Sequence, residues 1–193
     1  MATRIPSSYV IRQLTPTDAL IFRKFRLEAL ATSPNSFSST VSREESFAME
    51  IWEERTARTA FAFELVTPPS DQVDESTLHA HPVGMVGYYR VEQGETPLAH
   101  LVGLWVHPTH RGKGVGSALV EWAVEQVLPS GTDTANPRRR LQLEVGERNK
   151  QVTSMYERLG FRRLNADGLS MEYTSCPGTR DVVLSCDQGM ATV

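Results

Sequence analysis

The segment that most constrains this chain is a glycine-rich turn between an apolar stretch and an amphipathic one. Gly112, Gly114 and Gly116 stand at alternate positions in HPTHRGKGVGS, residues 107–117. Because glycine lacks a Cβ atom, backbone N–H groups there can approach an anion, and a following helix adds its partial positive charge. Hydrogen bonds to charged groups contribute about 1.5–3 kcal/mol each, against about 0.3–1 kcal/mol for the helix dipole. The sequence therefore predicts a turn that binds phosphate mainly through its amides.

Two well-known nucleotide-binding loops do not fit this turn. A P-loop needs Ser or Thr directly after its Gly-Lys, but Gly114 follows Lys113, and His107 stands where the first glycine belongs. A dinucleotide-binding fingerprint that starts at Gly112 needs Gly or Ala at the position of Ser117. A turn with no ligand remains the alternative, and the flanking charge of Arg111 favours an anion.

Hydrophobic periodicity predicts alternating strands and helices around this turn. Strands are predicted over residues 9–14, 60–66, 83–91, 98–106, 141–145, 161–165, 169–173 and 181–186, with 83–91 and 98–106 as a hairpin at the centre of the sheet. Helices are predicted over residues 19–30, 44–58, 115–128 and 149–159. The apolar positions assigned to the first helix are Leu20, Phe22, Phe25, Leu27 and Leu30.

No linker divides the 193 residues. We expect one domain over residues 9–187, with tails at 1–8 and 188–193. The segment 67–81 is rich in Pro, Ser and Asp and predicts an exposed insertion.

Composition argues against several classes of protein. Twenty Lys and Arg against 23 Asp and Glu give a net charge of −3, so no overall attraction to nucleic acid is expected, and Arg138–Arg140 is expected to be a solvated run. No apolar run approaches the roughly 20 residues of a membrane span, and the first residues lack a secretory signal. We therefore expect a cytoplasmic protein with no nucleic-acid or membrane partner. Cys176 and Cys186 have no zinc-ligand spacing, so no metal is expected.

Three segments together resemble the GNAT superfamily of acyl-CoA-dependent N-acyltransferases. Residues 111–116, RGKGVG, match the R/Q-x-x-G-x-G/A loop of the family, and Leu104-Trp105-Val106-His107-Pro108 is similar to its preceding strand. Residues 149–161 are similar to its N-x-x-A-x-x-x-Y-E-x-x-G-F helix, with Val152 in place of the small residue.

The resemblance implies an α/β (α+β) fold and an acetyl-CoA site. The fold would be a mixed, mostly antiparallel central sheet of six to seven strands, with helices on both faces and splayed fourth and fifth strands. Pantetheine would lie in the splay against the main chain of Leu104 and Val106. The residues implied to bind the diphosphate are Arg111, Gly112, Lys113, Gly114, Val115, Gly116 and Ser117. Edge strands near the C-terminus could pair between subunits and give a homodimer.

Acetyl transfer to an amine requires a proton acceptor. An alkyl amine with a pKa near 10.4 is neutral in only about 10⁻³·⁴ of molecules at pH 7, a handicap of about 4.6 kcal/mol. The resemblance implies a base at His100, and imidazole suits proton removal near neutrality. A strand histidine that only hydrogen-bonds a neighbour is the alternative, and Glu144 and Glu147 are further candidate bases.

The departing thiolate requires a proton or a hydrogen bond. Tyr156 lies two helical turns after Asn149, so the two side chains share a face. The resemblance implies that Tyr156 is the general acid and that Asn149 lies near the cofactor. Packing in the core is the alternative for Tyr156, and capping of the helix is the alternative for Asn149.

These residues predict an N-acetyltransferase that moves an acetyl group from acetyl-CoA to a primary amine by direct attack. The acceptor would be a small-molecule amine or a peptide amine. The alternative is an acyl-CoA-binding regulatory module without catalysis, which the presence of His100 and Tyr156 disfavours.

Overall fold

The computed structural model describes residues 8–65, 81–91, 98–128, 139–146, 149–164 and 170–174. Its strands are β1 Tyr9–Gln13, β2 Thr59–Glu64, β3 Pro82–Val91, β4 Leu98–Val106, β5 Arg140–Glu144, β6 Arg162–Arg163 and β7 Ser170–Thr174. Its α-helices are α1 Ala19–Thr32, α2 Val41–Glu45, α3 Met49–Thr56, α4 Val115–Val127 and α5 Lys150–Arg158. The predicted strand over 181–186, both cysteines and the insertion, apart from the exposed His81, lie outside the described residues.

The strands form one seven-stranded sheet in the order β1-β2-β3-β4-β5-β7-β6. The β1–β2, β2–β3, β5–β7 and β6–β7 pairs are antiparallel, and β4–β5 is parallel. This mixed α/β fold confirms the predicted sheet and its central β3–β4 position.

The chain groups into two compact units, residues 1–88 with 102–123 and residues 89–101 with 124–193. The expectation of one domain over 9–187 stays a prediction.

An aromatic cluster fills the core of the first unit. Phe22 and Phe25 of α1 meet Phe61 of β2 with ring centroids 6.0 and 5.1 Å apart, and Trp52 of α3 meets Phe22 at 5.4 Å. Each buried aromatic side chain removes a large apolar area from water, and edge-on pairs add to that gain. The cluster therefore secures α1 and α3 to the sheet.

Leu20, one of the apolar positions of the predicted helix, does not face the core. Its side chain is 70% exposed, whereas Ala19 and Ala29 are buried. The buried stripe follows the helical repeat through two alanines, and the large Leu20 lies outside that stripe.

The single predicted helix over 44–58 is wrong, because α2 and α3 are separate. Thr40 caps α2 by accepting a hydrogen bond from the Arg43 N–H, and the backbone turns extended at Ala48. Phe47, the middle one of the three residues between the two helices, has its ring centroid 6.1 Å from that of Trp52. Tertiary contacts of these aromatic rings therefore override the local helical pattern.

The second unit has its own apolar core around β5 and α5. Leu141 and Leu143 of β5, Met171 of β7 and Phe161 after α5 are each at most 2% exposed. The alternation of buried and half-buried positions along β5 reflects its two faces. None of the helices in the described part of the chain is long and apolar enough to cross a membrane.

A salt bridge ties β1 to the start of α1 and gives a testable pH dependence. Arg12 donates from Nη1 and Nη2 to the Asp18 carboxylate at 2.9 and 3.0 Å, and the Thr15 N–H adds a bond of 2.7 Å. The hydrogen bonds from Arg12 outweigh the effect of burial and lower the pKa of Asp18 to about 2. The carboxylate therefore stabilises the fold fully above its unfolded pKa near 4, and this stabilisation is lost as the pH falls toward 2.

We expect Asp18→Asn to lower the free energy of unfolding by about 1–2 kcal/mol at pH 7, a value discounted for the partly exposed Arg12. Urea unfolding at pH 7 and pH 3 checks this, and the difference from wild type should be smaller at pH 3. Glu50→Gln removes an exposed carboxylate and should leave stability nearly unchanged. An equal loss at both pH values would contradict the assignment.

Candidate active site

The predicted phosphate-binding turn lies between β4 and α4, in the first unit. One 3-10 turn, Pro108–His110, leads into it. Gly112 and Gly114 then adopt φ angles of +74° and +84°, a left-handed conformation that other residues adopt only at a cost. Two of the three glycines thus require their conformational freedom, whereas Gly116 lies within α4.

The amides of this turn are available for a ligand. The first helical hydrogen bond runs from the Ala118 N–H to the Gly114 carbonyl at 3.1 Å. The N–H groups of residues 112–117 have no acceptor within the described part of the chain. Gly112 and Lys113 are exposed, while Val115 is buried and anchors the helix. Successive free amides at a helix N-terminus form a site for an anion such as a diphosphate.

A glycine of β3, which the sequence analysis did not single out, permits this placement of α4. A Cβ atom on Gly84 would lie 2.9 Å from Leu119 Cδ1 and 3.3 Å from Val115 Cγ1. The helix therefore packs onto bare backbone at this point. A glycine inside a strand pattern often marks such a close approach, and this signal could have identified it.

The two cations of the turn differ in their surroundings. Arg111 donates from Nε to the Val106 carbonyl at 2.9 Å, and its Nη2 lies 3.5 Å from Ser33 Oγ. Arg111 therefore stabilises the end of β4, and the Val106 carbonyl already accepts a hydrogen bond. Lys113 is exposed and has no hydrogen bond or ion pair with another described residue, so its ammonium group is free to meet a phosphate.

The two histidines of the turn already have partners. His107 Nδ1 lies 2.8 Å from Thr109 Oγ1, and His110 Nδ1 lies 3.1 Å from the Tyr9 hydroxyl. Burial lowers the pKa of His110, and Lys113 adds to this effect while Glu64 opposes it. Both histidines thus maintain the shape of the turn.

Strand β4 changes conformation before it reaches the turn. Gly103 has a φ of +66°, which interrupts the regular pleat directly before Leu104. Leu104 and Val106 are half-buried. In the second unit, β4 pairs with β5 from Leu98↔Arg140 to His100↔Gln142. The described ladder ends at His100, and the splay of the two strands stays a prediction.

His100 lies in the second unit, in the last residue pair of that ladder. Its half-buried ring stacks on Tyr89 of β3, with centroids 5.0 Å apart and planes inclined by 16°. Its cross-strand neighbour Gln142 donates a 2.7 Å hydrogen bond to Glu172. Tyr89 was not singled out in the sequence, because only the pairing of the strands brings it close to His100.

Tyr156 is a core residue of the second unit. It is 4% exposed, and its ring lies 5.4 Å from that of Phe161. Burial raises the pKa of Tyr156 above its ordinary value, so the phenol keeps its proton at physiological pH. Its hydroxyl has no hydrogen-bond partner within the described residues. The ring packs as the structural alternative predicts, and no described residue occupies the hydroxyl.

Asn149 stands at the N-cap position of α5, but its side chain does not cap the helix. Its backbone carbonyl accepts hydrogen bonds from Thr153 N and Oγ1 at 3.0 and 3.1 Å. The exposed Asn149 amide has no hydrogen bond to another described side chain. This geometry disfavours the capping alternative and leaves the amide free for a ligand.

The other candidate bases and the run Arg138–Arg140 contribute less to the candidate site. Glu144 is exposed at the end of β5, while Glu147 and Arg138 lie outside the described residues. Arg139 hydrogen-bonds the Val127 carbonyl at 3.5 Å, and Arg140 contacts Glu172 at the same distance. These contacts give no indication of a nucleic-acid surface.

Comparisons with known proteins agree with this arrangement. A curated relative, an uncharacterized N-acetyltransferase of Methanocaldococcus jannaschii, is 34% identical over 89 residues, which cover 44% of this chain and 36% of the relative. The chain thus matches about a third of the length of that relative.

Solved structures show the same fold. A GNAT-family acetyltransferase from Streptococcus pneumoniae superposes with a TM-score of 0.57 at 20% identity, over 87% of this chain and 99% of that one. Arabidopsis thaliana NAA60, solved with a bisubstrate analogue, gives a TM-score of 0.57 at 17% identity over 86% and 97% of the two chains. Another structure of NAA60 contains acetyl-CoA.

A match to a family profile identifies the family of this chain. The sequence profile of the Acetyltransferase (GNAT) family matches residues 33–161. This range is more than half of the chain and includes β4, the glycine turn, α4 and α5. The chain therefore belongs to the GNAT acetyltransferase family.

Proposed function

We propose that this protein is an N-acetyltransferase that moves the acetyl group of acetyl-CoA to a primary amine by direct attack. The observation that carries the proposal is the run of free amides over residues 112–117 at the N-terminus of α4. Such a run suits the diphosphate of acetyl-CoA, and Lys113 adds a positive charge. NAA60, which shares the fold, has been solved with acetyl-CoA.

In the proposed reaction, the neutral amine nitrogen attacks the thioester carbon, the new C–N bond forms, and the C–S bond breaks. His100 accepts a proton from the amine, directly or through water. The Tyr156 hydroxyl donates to the departing sulfur. Because the pKa of Tyr156 is raised, donation of a hydrogen bond as the C–S bond breaks is favoured over transfer of the proton to a thiolate already formed.

The remaining assignments of the binding site follow the same proposal. Leu104 and Val106 would contact the pantetheine arm, and the Asn149 amide would contact the cofactor. The acceptor would be a small-molecule or peptide amine, as the complex of NAA60 with a bisubstrate analogue suggests for a related fold. The cytoplasmic location, the homodimer and the absence of metal, membrane and nucleic-acid partners stay predictions from the sequence.

Acetyl-CoA binding and turnover test the proposal. We expect calorimetry to show binding of acetyl-CoA, and a panel of amines assayed by mass spectrometry to include acetylated products. Gly112→Ala should weaken binding about tenfold or more. A Cβ atom there meets no protein atom within 4 Å, so the loss would arise from the bound phosphate and from the strained positive φ.

The contribution of the Lys113 charge can be tested against a matched lysine elsewhere. Lys113→Ala should weaken acetyl-CoA binding several-fold, with a smaller effect at high salt. Lys24→Ala, which removes an equal charge from the exposed face of α1, should leave binding unchanged. Tight binding without transfer to any amine would favour the regulatory module, and equal effects of the two lysine variants would argue against the turn as the site.

A further inference from the structure

Arg26 of α1 has a buried hydrogen-bond donor for which the described residues of the first unit provide no acceptor. Its side chain is 13% exposed. Nε and Nη2 donate to Glu44 Oε2 and Oε1 at 3.1 and 2.7 Å. The third nitrogen, Nη1, is buried and has no acceptor within the described residues. An unmet buried donor ordinarily costs about 1–3 kcal/mol and requires an explanation.

The neighbours of Arg26 hold its guanidinium group in one orientation. Glu44 is 2% exposed and also contacts Arg55 Nη1 at 3.4 Å. Burial alone would raise the pKa of Glu44, but the hydrogen bonds and charge of Arg26 lower it below its ordinary value, so Glu44 is ionised. The guanidinium carbon lies 4.4 Å from the centre of the Phe37 ring. One edge of the guanidinium group contacts Glu44, and one face contacts Phe37. Nη1 is therefore the part of the group that remains for another partner.

The free nitrogen lies beside the break in β4. A Cβ atom built on Gly103 would have Arg26 Nη1 at 3.7 Å, and apart from the flanking residues Val102 and Leu104 no other described atom would lie within 4 Å. The missing side chain therefore leaves open space with a single donor at its border. Gly103 directly precedes Leu104, which contacts the pantetheine arm in the proposed function.

The charge of the cluster indicates what would enter this space. Arg26 and Arg55 carry two positive charges against one negative charge on Glu44, an excess of +1. The buried Arg26 and Glu44 offset each other, and the excess charge lies on Arg55, whose side chain is 40% exposed. Such an excess attracts an anionic oxygen and disfavours a second ammonium group. A carboxylate would satisfy Nη1 and balance the charge, whereas a polyamine would add to the excess.

We propose that Arg26 Nη1, beside Gly103, binds the carboxylate of the acceptor, so that the substrates are amines that also carry a carboxylate. This inference rests on the proposed function and makes Arg26 the specificity-determining residue of the acceptor site. The carboxylate belongs either to a free amino acid or to an acidic residue at a peptide N-terminus.

Matched amines test this inference. For each of several side chains, kcat/KM is compared for the amino acid, its carboxamide and the amine without the carboxyl group. Peptide amides that begin with Asp or Asn distinguish the two sources of carboxylate. We expect wild type to prefer the carboxylate-bearing member by about 10- to 150-fold, as a hydrogen bond to a charged group would give. Equal kcat/KM for all members would overturn the inference.

Variants show whether Arg26 causes the preference. Arg26→Lys keeps a cation for Glu44 but loses the forked donor, and it should abolish most of the preference. The double variant Arg26→Met with Glu44→Gln leaves no unpaired buried charge and should lose the preference as well. Arg55→Lys, which changes the other cation on Glu44, should retain it. A uniform loss for all amines in Arg26→Lys would indicate only a packing role and would overturn the inference.

A binding measurement separates this inference from the proposed function. Calorimetry compares an N-acetyl amino acid with the matched N-acetyl amine that lacks the carboxylate. If wild type transfers to no amine yet binds the carboxylate form more tightly, and Arg26→Lys does not, the proposed function fails and this inference stands. If wild type transfers acetyl groups without preference in rate or binding, the proposed function stands and this inference fails.

Discussion

Tyr156→Phe is expected to lower kcat by about 10²- to 10³-fold, the usual cost of removing a hydrogen-bond donor to charge that develops in the transition state, while the affinity for acetyl-CoA stays unchanged. The variant removes one oxygen and retains the ring that packs on Phe161. Stopped-time assays with saturating acetyl-CoA and calorimetry give the two quantities. Because burial raises the pKa of Tyr156, its ionisation should cause no loss of wild-type activity up to pH 9.

Tyr173→Phe is the matched control for this experiment. Tyr173 of β7 belongs to the same aromatic cluster, with its ring 5.4 Å from Phe161, and the proposed reaction does not use its hydroxyl. The control should retain wild-type kcat. If Tyr156→Phe retains full kcat, or if both variants lose equal activity, Tyr156 is a core residue without a role in the departure of the sulfur.

His100→Gln is expected to lower kcat/KM by about 10²- to 10⁴-fold at pH 7. The deficit should shrink toward pH 9, because the neutral fraction of an alkyl amine rises about tenfold for each pH unit below its pKa near 10.4. A pH profile of kcat/KM from pH 6 to 9 measures this. A merely structural histidine would give a loss independent of pH.

His81→Gln is the control for the loss of an imidazole. His81 is exposed just before β3 and should tolerate the change at every pH. Full kcat/KM in His100→Gln from pH 6 to 9 would show that the base lies elsewhere. The His100 ring is half-buried and stacked on Tyr89, so circular dichroism should accompany the assay to confirm that the fold is intact.

Local patterns sufficed for much of the fold. The observed β4, Leu98–Val106, and α4, Val115–Val127, agree with their predicted positions, because their hydrophobic periodicity and the glycine boundary are strong local signals. The break between α2 and α3 could not be predicted in the same way, since it depends on the contact of Phe47 with Trp52. The spacing of apolar residues in α1 did not show which of them are buried, since Ala19 and Ala29 are buried and Leu20 is exposed.

In the candidate site, too, some features were predictable from local sequence and others were not. The glycine turn was predictable, because left-handed φ angles at Gly112 and Gly114 require that residue type within a short segment. The structural state of Asn149 was not, since capping or its absence depends on backbone angles at the helix start. Tyr89 could be linked to His100 only once the strands were aligned side by side.

The sequence by itself determined the family, the order of the principal strands and helices, and the segment suited to bind a phosphate, because each depends on residues close together in the chain. Only the tertiary structure decided that Arg26 of α1 meets both Glu44 of α2 and the space beside Gly103 of β4. These residues lie far apart in the chain, and their contact follows from how the helices pack on the sheet. The energetics of a buried charge depend on such packing, so the inferred acceptor preference could not be derived from local sequence patterns.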